Sequence, residues 1–332
     1  MAVTEETTRE LRYVQAVPEA IAQAMRADPN VFVAGEDIAH YGGVFGTTRG
    51  LLDEFGPRRV VDTPISEAGL VGLGIGAAAT GLRPIIEIMF MDFIGVCMDQ
   101  VVNQLAKMKY MFGGKTTLPV TIRTTVGAGG ANAAQHSQSL EAWFTHVPGL
   151  KVVMPSGPYE AKGLLLAAIA DDDPVIIIDN KMSLGQKAHV PEEPYTLPLG
   201  EAAIVREGRD CTVVATSRMV AEARKAGEVL AGEGIEIELV DPRTLSPLDV
   251  PTIIESVQKT NRAVVAQEAV RFSGFGAEIA ATIAEEAFDH LDAPVGRVGA
   301  PFSPVPFSPA LEAKWVPNAE MIAAEVRKTL GR

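Results

Sequence analysis

RRVVDTPISEAGLVGLGIGAAATGLRPIIEIMF (58–90) is the stretch on which the fold turns. A short β-branched run ends at Asp62. Thr63 with Pro64, or Ser66 alone, then suits the start of a helix that the pattern carries over Glu67–Gly81. A second apolar run, PIIEIMF (84–90), follows almost at once. Strands that are apolar throughout, rather than alternating, are buried on both faces, as in a parallel sheet sandwiched between helices. Outward from this unit the alternation repeats. VFVA (31–34), LPVTIRT (118–124), LKVVM (150–154) and PVIIID (174–179) read as strands, separated by helical patterns at Ala16–Arg26, Val96–Tyr110 and Tyr159–Ala170. The reading is a doubly wound α/β domain.

From about Lys181 the period breaks down into KMSLGQKAHVPEEPYTLPLG (181–200), whose prolines and glycines mark a connection. Alternation resumes with CTVVAT (211–216), a helix opening at Ser217, IEIELV (235–240), a helix near 249–258, RAVVAQE (262–268), a helix at 275–288 and a strand near 294–298. GAPFSPVPFSP (299–309) reads as an ordered proline loop and Ala319–Leu330 as a closing amphipathic helix. The expected organisation is two doubly wound α/β domains, over 1–190 and 201–332, joined by a linker at 191–200.

Composition excludes several classes. A net charge of −13 lacks the clustered Lys and Arg that phosphate neutralisation requires, so nucleic acid is not an expected partner. Cys97 and Cys211 sit in apolar runs and read as buried free thiols, the usage of a reducing, cytoplasmic compartment. MAVTEETTRELRY (1–13) carries no signal or transit pattern. The most apolar stretch, Ala68–Leu82, falls short of the ~20 residues that span a bilayer, so no membrane is expected.

Three features invite chemistry. Gly69, Gly72, Gly74 and Gly76 tempt a dinucleotide reading, but they run through the body of a helix and lack G-x-G-x-x-G at a strand-to-helix turn. At three- and four-residue spacing they let another backbone approach. Glu67 is open to two readings: a first-turn acid placed well against the helix dipole, or a carboxylate at the crevice where α/β sheets bind ligands. His136, in GAGGANAAQHSQSLEAWF (127–144), lies in a polar loop between a strand and a helix near Leu140. It is either a solvated loop histidine or a catalytic one. The other four histidines lack such settings, and none of the five has metal-ligand spacing.

DTPISEAGLVGLGIGAAATGLRPIIEIMFMDF (62–93), DQVVNQLAKMKYMFGGK (99–115), AAQHSQ (133–138) and HVPGLKVVMPSGPYEAKGLLLAAIADDDPVI (146–176) together resemble the β subunits of the 2-oxo acid dehydrogenase complexes. The likeness continues through VDPRTLSPLDVPTIIESVQKTNR (240–262) and VPFSPALE (305–312), and within the family MFMDFIGVCMDQ, YMFGGK and AAQHSQ look most like acetoin dehydrogenase β subunits. Pyruvate and branched-chain members share much of the same text. The resemblance implies an N-terminal domain that binds the aminopyrimidine of thiamine diphosphate, a transketolase C-terminal-like domain, and an α2β2 heterotetramer with the cofactor between α and β. It further implies a lipoyl acyltransferase core as partner.

Residue by residue, the resemblance makes Glu67 the acid that hydrogen-bonds a pyrimidine ring nitrogen. Phe93 becomes an aromatic packed on that ring, Ile65 and Met89 its walls, and His136 the residue that positions substrate or assists acyl transfer. Glu36, in GED after the first strand, also matches a position facing the site. Some members hold a structural potassium ion at positions corresponding to Val120, Ala168, Ile169, Asp171 and Asp173, with Asp173 standing where relatives carry asparagine. The alternative for the last two is a charged turn before Pro174. The Gly-Asp-Gly motif by which thiamine enzymes anchor magnesium and diphosphate does not occur in the sequence. That half of the site, with its magnesium, is therefore expected on the α subunit. Two rivals stay open, a self-contained transketolase-like enzyme and a non-catalytic scaffold paralogue; a third, a nicotinamide dehydrogenase, fails on the fingerprint.

Overall fold

The computed structural model describes residues 9–332. The reading of residues 1–8 lies outside them. Seven strands form the first sheet, in the order Thr244–Ser246, Lys151–Val153, Val175–Asn180, Thr121–Val126, Arg83–Ile88, Val31–Gly35 and Val60–Asp62. All are parallel except the first. The second sheet runs Gly296–Ala300, Ala263–Val270, Cys211–Ala215, Ile237–Asp241 and Ala203–Arg206, with only the last strand antiparallel. The central strands are buried along their whole length, as their continuous apolar character requires. Helices cover both faces, so the expected pair of doubly wound layers is present. The edge strand Thr244–Ser246 comes from far along the chain to pair with Lys151–Val153. Among the described residues no helix is long and apolar enough to cross a membrane.

Two local expectations are corrected. In place of one helix over Val96–Tyr110 there is a 3₁₀ stretch at Met91–Cys97, a π-helical stretch at Asp99–Leu105 and a short α-turn at Met108–Met111. The apolar spacing explains the change. Met91, Ile94 and Cys97 are buried at intervals of three, which eclipse in a 3₁₀ winding. Cys97, Val101 and Leu105 are buried at intervals of four, which a wider turn keeps on the same side. The backbone changes pitch so that one core face serves both.

The second concerns 181–200, which is not free chain. Lys187–His189 pairs antiparallel with Glu10–Arg12. Downstream, the fully buried Lys162 ammonium donates to the carbonyls of Pro191 at 2.6 Å and Glu192 at 2.9 Å, and to Glu19 at 2.7 Å. Tyr195 stacks on Tyr159 at 4.8 Å. The segment is strapped to the first domain because a buried ammonium must find acceptors, and these carbonyls are the ones supplied.

Candidate active site

Adjacent strands Val31–Gly35 and Arg83–Ile88 send their connections to opposite sides of the first sheet, which makes a crevice at their carboxyl ends. Glu36 follows the first of these strands, and Met89, Phe90 and Phe93 follow the second. Glu67 follows the neighbouring strand Val60–Asp62, and the loop to His136 leaves Thr121–Val126. One sheet edge thus carries Glu36, Glu67, Met89, Phe93 and His136.

Glu67 is the first residue of the helix Glu67–Ala79 and is buried, with only 7% of its surface exposed. Glu36, at 9%, stands close enough to feel its charge. Burial raises the Glu36 carboxyl above the ordinary glutamate range, the charge of Glu67 adds to this, and the Ser66 backbone N–H opposes it. Oε1 of Glu36 is buried without a hydrogen-bond partner. Ile65, by contrast, is 84% exposed on the approach to Glu67. Met89 is half-buried, its carbonyl accepting from the Thr125 hydroxyl.

The His136 ring is held edge-on between Phe90 and Phe93, with centroids 4.9 and 5.3 Å away. The Lys181 ammonium donates to the His136 carbonyl and lies 5.2 Å from the Phe90 ring centroid. Burial lowers the Lys181 pKa against the pull of Asp92, Glu268 and Glu312. Gln138 is tied to Asp92 through its side chain at 2.8 Å. The loop before His136 takes unusual backbone angles, with φ positive at Gly127, Gly129, Ala131 and Ala133. For the two alanines this costs about 1–2 kcal/mol each, so other contacts must hold them. Gly127 admits no side chain, since a Cβ would lie 2.7 Å from the Asn180 amide.

The potassium-position residues lie elsewhere. Val120 precedes the Thr121–Val126 strand, and Ala168–Asp173 closes the helix Pro158–Ala170, so they share the amino-terminal edge of the sheet, opposite the Glu67 crevice. Their oxygens already have donors. Arg83 reaches the carbonyls of Ile169 at 3.2 Å and Asp171 at 3.1 Å, while Val120 and Ala168 accept from the backbone N–H groups of Val175 and Asp171. Lys151 pairs with Asp171 at 2.6 Å, and Lys109 pairs with Asp173.

Several residues around the crevice escaped sequence reasoning. Arg123 is fully buried between Glu87 at 2.6 Å and Asp179 at 2.7 Å, and Asp179 also accepts from the Tyr13 hydroxyl. The signal was present as single charges inside PIIEIMF, TIRTTV and VIIID, but only the strand order places them side by side. Lys181, Asp92, Glu268 and Glu312 left no comparable mark, because each meets the His136 loop from a different part of the chain.

Comparison with known proteins places these features in context. The description "Transketolase, pyrimidine binding domain" matches residues 9–187 and "Transketolase, C-terminal domain" matches residues 200–322. The beta subunit of acetoin:2,6-dichlorophenolindophenol oxidoreductase from Bacillus subtilis is 52% identical, over 95% of this chain and 96% of its own length. Its counterpart from Cupriavidus necator is 51% identical over 97% and 98%. The pyruvate dehydrogenase E1 component subunit beta of Bacillus subtilis is 45% identical over 97% and 99%. Among solved structures, a split-gene transketolase described as an inactive β4 tetramer superposes with a TM-score of 0.79 at 25% identity, over 97% of this chain and 98% of its own.

Proposed function

The chain belongs to the β-subunit family of the thiamine-diphosphate-dependent acetoin and pyruvate dehydrogenases, and from that premise we propose that it supplies half of a shared cofactor site and turns over only with an α subunit. The observation that carries this reading is the crevice itself. A buried Glu67 stands beside a Glu36 whose inner oxygen lacks a donor, and a half-buried Phe93 packs against His136. A buried acceptor without a partner is costly, and the donor groups of an aminopyrimidine suit it. Glu67, Glu36, Phe93, Met89 and Ile65 would hold that ring. Thiamine diphosphate, when bound, supplies the carbanion-stabilising chemistry that cleavage beside a carbonyl needs. Magnesium and the diphosphate contacts belong to the α subunit, since Gly-Asp-Gly does not occur in this sequence.

Within this chain, the buried Glu67 is placed to hydrogen-bond the ring nitrogen and relay a proton there. Phe90 and Phe93 pack against the His136 ring in T-shaped contacts and fix its orientation. His136 is set to orient the substrate oxygen or to assist acyl transfer to a lipoyl acyltransferase. Acetoin is favoured over a 2-oxo acid by the degree of likeness, 52% and 51% identity to the two acetoin oxidoreductase beta subunits against 45% to the pyruvate dehydrogenase subunit of Bacillus subtilis.

The test is reconstitution with the α subunit, magnesium and thiamine diphosphate, following dye reduction with acetoin, pyruvate and branched 2-oxo acids. The isolated chain is expected to be inactive, in keeping with the β4 relative, and the complex to prefer acetoin. Glu67→Gln should lower turnover about 10²-fold or more without loss of assembly. Turnover by the chain alone would make it a self-contained transketolase-like enzyme. Full activity of Glu67→Gln would make it a scaffold. Preference for pyruvate would reassign the substrate. Substituting sodium for potassium, with Tm read beside turnover, tests the cation turn at Asp171–Asp173, where a structural ion should change thermal stability rather than turnover.

A further inference from the structure

The loop that presents His136 is gripped from the other half of the molecule. Glu268, on the strand Ala263–Val270, accepts the Ala128 backbone N–H at 2.6 Å through one oxygen and the Asn180 amide at 2.7 Å through the other. Glu312, on the helix Pro309–Trp315, accepts the Gly129 N–H at 2.7 Å and the Ala131 N–H at 2.8 Å, one on each oxygen. Both side chains are buried. Arg218 completes the grip by donating to the Ala128 carbonyl at 2.9 Å.

These bonds fall where the backbone is least at ease, since Gly129 and Ala131 both have positive φ. Beyond them the next ties are Lys181 to the His136 carbonyl and Asp92 to Gln138. Residues 132–135 are thus suspended between two anchors, and the first sets the direction in which the chain leaves for His136. A carboxylate suits that anchor because its two oxygens accept two divergent N–H groups at once, as charge-assisted bonds. An amide offers one acceptor and turns a donor toward the second N–H.

We infer that Glu312, seconded by Glu268, is a positioning residue for His136: the C-terminal half of the chain holds the His136 loop in its working conformation through two buried carboxylates. The inference rests on the reading of His136 as a site residue. Both oxygens of Glu312 accept from the loop, and those of Glu268 accept from the loop and from Asn180, so each carboxylate acts on the site through these bonds.

A double-mutant cycle in the reconstituted αβ complex tests it. Glu312→Gln should lower kcat ten- to a hundredfold in the otherwise unaltered chain, the order expected when a reacting group is displaced by a fraction of an ångström to an ångström. In a His136→Ala background the same change should cost less than about twofold, because the group it positions is gone. Backbone amide exchange over 128–136 should speed up in Glu312→Gln, while intact mass shows the complex assembled. Glu268→Gln, which weakens only one loop bond, should show the same pattern more weakly and serves if Glu312→Gln fails to assemble. An equal loss in both backgrounds would overturn the inference and reduce the carboxylates to fasteners between the two halves. Full turnover by His136→Ala would remove the reading of His136 itself and the inference with it, and that variant alone identifies this outcome.

Discussion

Glu141 opens the short helix Glu141–Thr145, five residues after His136, and is 2% exposed with Oε2 lacking a partner. Burial pushes its carboxyl up from the ordinary 4.5 to about 7, with the nearby charge of Glu268 contributing in the same direction and its own backbone N–H opposing. The sign of the effect on stability follows from proton counting. Between the unfolded and folded pKa values the folded state binds more proton, so stability falls as pH rises through about 7. A shift of this size corresponds to roughly 3 kcal/mol as an upper bound. Glu141→Gln, which is permanently neutral, should therefore raise Tm relative to the parent at pH 8 and change it little at pH 5. A Tm difference independent of pH would show that Glu141 is not the group that titrates.

The helix Glu67–Ala79 carries two kinds of glycine. A Cβ on Gly74 would lie 2.8 Å from Ile86 Cγ1, so this position lets the helix sit down on the strand Arg83–Ile88. Gly72 and Gly76 meet nothing within 4 Å and face outward, so within the described residues no other backbone approaches them. Opposite outcomes follow. Gly74→Val should destabilise the isolated chain by about 1–3 kcal/mol through overpacking, read by urea denaturation. Gly76→Leu should leave the isolated chain as stable as the parent or slightly more so, since leucine is the better helix former. The same Gly76→Leu should weaken α/β assembly in sedimentation, because an outward stripe of small residues starting at Glu67 offers close approach to a second chain. Undiminished assembly would place that interface elsewhere.

At the scale of the whole molecule, one apolar cluster runs unbroken through both sheets, from Ala34 and Ile86 through Val152 and Leu245 to Val265 and Ile283. The strand Thr244–Ser246 completes the first sheet, Ser156 donates to Asp241 at 2.5 Å, and Arg243 pairs with Glu160 at 3.1 Å. Each fully buried aliphatic side chain that loses its cover forfeits about 1.5–3 kcal/mol, and a domain has only about 5–15 kcal/mol to lose. Residues 1–200 expressed alone should therefore lack a cooperative urea transition, whereas the full chain should unfold in one. A sharp transition in the fragment would show that the first half folds autonomously.

Local chemistry was enough to establish the alternation of strands and helices, the helix beginning at Glu67, the loop origin of His136 and the missing magnesium motif. Continuous apolar runs and the identity of a motif are properties of neighbours in the chain. The expected side-chain cap, by contrast, does not form: Ser66 stands at the N-cap without a side-chain cap bond, and the Thr63 hydroxyl is buried without a partner. Tertiary structure alone decided the rest. The 3₁₀-to-π winding after Met91 answers to a core face shared by distant strands. The pairing of Arg123 with Glu87 and Asp179 needs a strand order that no single run reveals. The meeting of Glu36 with Glu67, and of Glu268 and Glu312 with the His136 loop, joins residues up to 183 positions apart. Hydrogen bonds and buried charges are satisfied in space rather than along the chain, so a sequence can name the groups while only the fold assigns their partners.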